Sequence, residues 1–78
     1  SLKVFPNPGK DRFFLQGIGL PPGSYRVRLY DVRGKHLRAW SWDGRSTLTL
    51  DLHSLPAGVY PLRVGDAEQA GWVRVVKL

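Results

Sequence analysis

The side chains that could do chemistry are few in these 78 residues: two histidines, six carboxylates and three tryptophans, with no cysteine or methionine. Without cysteine there is no disulfide staple, no thiol nucleophile and no thiolate metal site. Asp51 and His53 share a strand face and Ser54 follows them, an acid, a base and a hydroxyl in close sequence. A triad needs its three members to converge on one pocket, and residues strung along one strand do not converge. His36 and His53 have neither a carboxylate cluster nor a spacing suited to a metal. The sequence therefore assigns no catalytic residue, no metal site and no cofactor, and the chain is read as a non-enzyme.

What remains is charge. Twelve Lys and Arg stand against six Asp and Glu, a net charge of +6, and eight of the twelve are arginine. Such an excess speaks of partners, with nucleic acid, an anionic glycan or a membrane surface as the classes it admits. No apolar run approaches the ~18–20 residues that span a bilayer, and no charged start followed by a hydrophobic stretch marks a signal peptide. With no methionine, including at position 1, residues 1–78 read as a single domain and as a fragment or processed piece of a larger protein.

Strands must position these groups. Nine glycines and six prolines cut the chain into short pieces, and the runs between them have period two. Strands are predicted over Leu2–Phe5, Arg12–Gln16, Ser24–Tyr30, His36–Trp42, Thr47–Leu52, Val59–Val64 and Trp72–Leu78. Seven short strands with turns every ~8–12 residues predict an all-β fold, an immunoglobulin-like antiparallel sandwich. No internal repeat is read. Leu55, Gly58 and Tyr60 are spaced as a tyrosine corner, in which the hydroxyl bonds back to the backbone a few residues upstream. Pro61 cannot donate to a ladder, so an edge or a bulge is expected there. Gly34 and Gly58 are expected at positive φ, and Pro6, Pro8 and Pro56 stiffen turns.

The hairpin is the most informative element. If Asp31 faces Lys35, the loop has three residues with Gly34 last, a type I turn plus bulge. That register sets Val27 beside Ala39 and Leu29 beside Leu37, and it turns Arg26, Arg28, Tyr30, His36, Arg38, Trp40 and Trp42 outward. Arg26 would then lie opposite Trp40 as a cation–π pair, and Arg28 opposite Arg38 as a like-charge pair. This basic-aromatic face is either a solvated surface with indoles covering arginine stems or a docking face. In the last strand Val73, Val75 and Val76 read as core or ladder residues, Arg74 and Lys77 as solvated ones.

Three motifs come in a telling order: Val4-Phe5-Pro6-Asn7-Pro8, Val27-Arg28-Leu29-Tyr30-Asp31-Val32-Arg33-Gly34, and Leu50-Asp51-Leu52-His53-Ser54-Leu55-Pro56-Ala57-Gly58-Val59-Tyr60. With the basic-apolar ending Trp72 to Leu78, the chain resembles the C-terminal sorting domain of type IX secretion system cargo, type A, from the Bacteroidetes. The resemblance covers Val4 to the C-terminus. It implies a small immunoglobulin-like sandwich that directs an N-terminal cargo across the outer membrane to the cell surface or medium. It implies as partners the outer-membrane secretion machinery and a sortase-like peptidase, with attachment of cargo to anionic lipopolysaccharide. On it, the signal or docking residues are Pro6, Asn7, Pro8, Asp31, Gly34, Leu55, Pro56, Gly58, Tyr60 and Lys77. The face of Arg26, Arg28, Arg38, Trp40 and Trp42 becomes a surface for the machinery or an anionic glycan.

Trp42-Asp43-Gly44-Arg45 with Gly58-Val59-Tyr60 also resembles the immunoglobulin-like domain of the flagellar hook-cap protein, but the run from Asp51 to Gly58 fits the sorting family better. The alternative function is a non-catalytic accessory module, carbohydrate-binding or structural, of a multidomain extracellular enzyme. Arginine-rich strands with aromatics can bind single-stranded nucleic acid. The glycine-flanked aromatic motif of RNA-binding sheets is missing, however, and nucleic acid is not counted among the partners.

Overall fold

The computed structural model describes residues 1–66 and 68–78. Its strands are β1 (Leu2–Phe5), β2 (Arg12–Gly17), β3 (Tyr25–Tyr30), β4 (His36–Trp42), β5 (Leu48–Asp51), β6 (Gly58–Gly65) and β7 (Ala70–Lys77). Every pair is antiparallel, in a three-stranded sheet β1-β2-β5 and a four-stranded sheet β4-β3-β6-β7. The two pack face to face as the expected sandwich.

Alternation builds the core. Phe13, Leu15, Leu50 and Leu52 come from the three-stranded side, and Val27, Leu29, Leu62 and Val75 from the four-stranded side, all fully buried. A fully buried aliphatic side chain is worth about 1.5–3 kcal/mol relative to an exposed one, so a core this thin rests on each of them.

The β3–β4 turn forms as expected. Asp31 N donates to Lys35 O at 2.9 Å, Gly34 N to Asp31 O at 3.0 Å, and Gly34 takes φ +87°. Beyond the turn the expected register fails. Tyr30 pairs with His36, but Leu29 pairs with Arg38, so Leu37 is an extra residue in the ladder. One inserted residue reverses which face every later side chain meets. Trp40 therefore pairs with Val27 and Trp42 with Tyr25, on the inner side. Trp42 is only 5% exposed, and Trp40 packs against the core. The gain is burial: two indoles supply far more apolar area than Leu37 and Ala39 would.

Pro61 overturns a second expectation, for β6 is a central strand and its register with β7 runs unbroken from Gly58 to Gly65. Arg74, opposite Pro61, turns its carbonyl away from β6 to receive the Asn7 amide. The Pro61–Arg74 position is thus a non-hydrogen-bonded pair, and the proline nitrogen faces β3. There the β3–β6 ladder ends at Leu29–Leu62, so no donor is required.

The tyrosine corner is present, with the Tyr60 hydroxyl donating to Pro56 O. It has a twin: the Tyr25 hydroxyl donates to Pro21 O. Leu20-Pro21-Pro22-Gly23-Ser24-Tyr25 and Leu55-Pro56-Ala57-Gly58-Val59-Tyr60 are one pattern used twice, which corrects the reading that the chain holds no repeat. β3 and β6 are antiparallel neighbours, so the two corners lie at opposite ends of the sandwich. Gly58, expected at positive φ, is not; the positive-φ glycines are Gly19, Gly34 and Gly44.

Candidate functional site

Strand registers decide which loops meet. Phe5 pairs with Phe14, Arg12 with Asp51, Leu29 with Leu62 and Gly58 with Lys77. These pairings gather the loop after β1, the β3–β4 turn, the corner before β6 and the end of β7 at one end of the sandwich. Ser1, the β2–β3 connection and the β6–β7 loop lie at the other. Pro6, Asn7, Pro8, Asp31, Gly34, Leu55, Pro56, Gly58, Tyr60 and Lys77 all fall at the first end.

Asn7 is the hinge pin of that end. Its side-chain amide donates to Arg74 O at 2.7 Å, and its Oδ1 accepts from Val76 N at 2.8 Å. The carboxamide thus copies a strand along the outer edge of β7. Gly9 continues it, donating to Val76 O at 3.0 Å and accepting from Leu78 N at 2.7 Å. The chain passes there only as glycine, because a Cβ on Gly9 would lie 2.6 Å from Pro6 O and 2.7 Å from the Phe13 ring. The loop after β1 therefore closes an edge that would otherwise be free to pair with another chain.

Lys77 departs from its expected exposure. Val73, Val75 and Lys77 share the inward side of β7, and Lys77 is 7% exposed. Its stem lies along the end of the core while the ammonium reaches polar partners at the rim. Nζ donates to Leu52 O at 2.8 Å and lies 3.4 Å from both His53 O and Asp11 Oδ1. A buried ammonium requires such partners. A change at Lys77 consequently disturbs the fold as well as any signal.

Asp51 Oδ1 accepts from His53 N at 3.1 Å and lies 3.0 Å from His53 Nδ1. The backbone bond first, then the ring, hold the Asp51 carboxyl below the usual range. Ser54 Oγ accepts instead from an Arg38 guanidinium nitrogen at 3.0 Å, so the hydroxyl is engaged by a cation, not by the imidazole. Asp43 and Asp66 are lowered in the same way, through backbone amides of Ser46 and Arg45 and of Gln69 and Glu68. Asp31 accepts likewise from Arg33 N and Lys35 N, at 2.9 Å each. Asp31, Asp43, Asp51 and Asp66 are turn builders.

The expected basic-aromatic face is split by the Leu37 bulge. Arg26 and Arg28 remain outside, opposite Ser41 and Ala39. Trp40 and Trp42 point inward. Arg38 is half-buried and donates to Leu37 O at 2.9 Å as well as to Ser54. Neither the Arg26–Trp40 pair nor the Arg28–Arg38 pair forms. The like-charge neighbour of Arg28 is Arg63. Arg63, Trp72 and Arg74 belong to this outer face too, and the alternation of β6 and β7 was the signal that placed them there.

The family model described as the secretion system C-terminal sorting domain matches residues 3–77 of the chain. No curated protein matches it.

Proposed function

We propose, from the premise that this chain belongs to the family of secretion system C-terminal sorting domains, that the machinery reads it as a folded body with its motif end as the address. The domain serves type IX secretion of a cargo that is secreted or reaches the cell surface, and its family is non-catalytic. One observation supports the folded-address reading. Ten motif residues from four separate segments come together at one end, where the loop after β1 is bonded to the last strand. That surface exists only after folding. The outer-membrane secretion machinery is the partner proposed for it. A sortase-like peptidase that frees the cargo, and attachment of the cargo to anionic lipopolysaccharide, are the further partners that the family resemblance proposes.

The test is a fusion with a signal peptide and a fluorescent passenger placed before Ser1, made in a bacterium that has the type IX system. Passenger at the surface or in the medium, lost when the system is disabled, is the expected result. Passenger held in the periplasm with the domain folded would replace this reading with that of an accessory module.

A further inference from the structure

The outward face of the four-stranded sheet gathers four of the eight arginines. Arg26 and Arg28 of β3 stand beside Arg63 of β6, which faces Trp72 of β7, and Arg74 lies two residues on. None of the six carboxylates is on a strand of this sheet. Asp66 lines the same depression as Arg26, Arg28 and Arg63, but its Oδ1 accepts from Glu68 N at 2.8 Å and Gln69 N at 2.7 Å. Among the described residues the ion pairs are Lys77–Asp11 and His53–Asp51, so these four guanidinium groups have no carboxylate. Arg28 and Arg63 are direct cross-strand neighbours, an arrangement that costs stability. Beside them Tyr30 packs between His36 and Trp72, with ring centroids 5.5 and 5.7 Å away, and Trp72 is 59% exposed.

We propose that this face is a docking surface for the acidic surface of a partner protein, with Trp72 as its apolar anchor and the Arg28–Arg63 pair as its carboxylate clamp. The proposal rests on the sorting reading only for where the partner is sought. Charge complementarity and composition carry it. Arginine, tryptophan and tyrosine are the residues enriched in protein interfaces, and lysine, aspartate and glutamate are depleted there. Here the enrichment is complete: of the four lysines, three lie outside this sheet and Lys77 points inward. Arginine forks match carboxylates in pairs. A glycan site would also need acceptors for hydroxyls, and no Asn, Asp, Gln or Glu lies on these strands. Stacking of successive bases needs several free rings, and among the described residues of this face Trp72 is exposed while Tyr30 is packed between His36 and Trp72.

The experiment places a photo-crosslinking benzoylphenylalanine in the passenger fusion, at Ala39 beside Arg28 or at Thr49 on the exposed face of the other sheet. A discrete protein adduct is expected from position 39 and none from 49. Its crosslinked peptide should map by mass spectrometry to an Asp- and Glu-rich surface. R28E/R63E and W72A should each cut the adduct at least ~10-fold, while K3E/R12E, with the same change in net charge, leaves it within ~2-fold. Melting of each purified variant shows that the domain is folded. An absent adduct, equal adducts from both positions, or a contact that is not acidic overturns the proposal. So does tight, Trp72-dependent binding of heparin or an oligo-dT strand at physiological salt with no face-specific adduct. Adducts are read in the producing cell whether or not the passenger is exported. A wild-type fusion that gives the adduct but stays inside overturns the sorting reading alone.

Discussion

The motif end and the open face of the four-stranded sheet treat polar groups in opposite ways. At the motif end several of them hold the fold. Asn7 serves both an acceptor and a donor of β7, the Lys77 ammonium meets Leu52 O, and Tyr60 meets Pro56 O. On the open face Arg28 and Arg63 sit side by side with no carboxylate partner among the described residues. The first region is held together by its own polar groups, and the second retains groups that only another molecule can satisfy. The ten residues that look like an address in sequence therefore build the end of the sandwich, whereas the open face takes Arg28, Tyr30, Trp72 and Arg74 from the motif segments without any of those ten.

The contrast breaks most readily at the bulge that creates the open face. If Leu37 is the extra residue, Trp42 fills the core and donates its indole N–H to Ser46 O at 2.7 Å. Trp42→Ala should then cost about 3–5 kcal/mol, the range for removing a buried aromatic, which is most of the stability of a domain this size. Ala39→Ser, on the outer face, should change stability by less than ~0.5 kcal/mol. Equal small effects in chemical denaturation would restore the unbulged register and return both tryptophans to the surface.

Next in size is the motif end. Lys77→Met keeps the stem and removes the ammonium, so Leu52 O keeps its bond from Leu55 N but loses the charged one. A loss of about 1.5–3 kcal/mol is expected, the range for a hydrogen bond to a charged group. Asn7→Ala should cost about 0.5–1.5 kcal/mol for each of its two bonds, at the low end because the β7 edge is open to water. If either variant melts like wild type, that end is not held by these groups.

The open face should respond with the other sign. Arg63→Glu places a carboxylate directly opposite Arg28 and replaces a repulsive pair with an attractive one. A gain of roughly 0.2–1 kcal/mol is expected, together with loss of docking. Stability that falls instead would mean that Arg63 works for the fold, and the face would cease to differ from the motif end.

The strands and turns were legible because the alternation of Val27 with Leu29, or of Leu48, Leu50 and Leu52, is a local pattern, and Asp31 to Lys35 is a local turn. The open face was not legible, because its membership depends on parity, and parity depends on one unpaired residue. Nothing in His36-Leu37-Arg38 announces that Leu37 is extra; the demand comes from a core that needs Trp40 and Trp42. Lys77 was misplaced for a related reason. A lysine at the end of a strand normally reaches solvent, and only the crossing of Leu52 and His53 beneath it supplies carbonyls for a buried ammonium. The second tyrosine corner could have been read, since Leu-Pro-x-Gly-x-Tyr stands twice in the chain.

Gly58 is the finest test of the comparison, because it belongs to the motif end and yet the fold does not demand it. Its φ is not positive, and a Cβ built there would lie 3.8 Å from the Tyr60 ring, an ordinary contact. Gly58→Ala should therefore leave stability within about 0.5 kcal/mol of wild type, and could raise it slightly by restricting the unfolded chain. An added methyl beside Tyr60 alters only the local surface of the corner. If export of the passenger falls while the melting temperature holds, that surface is read from outside, and the motif end is an address as well as a clamp. If export and melting both stay unchanged, Gly58 does not contribute to the address and the clamp accounts for what the motif end does there. Recognition would then fall to the arginine face, where the same passenger carrying R28E/R63E should be retained.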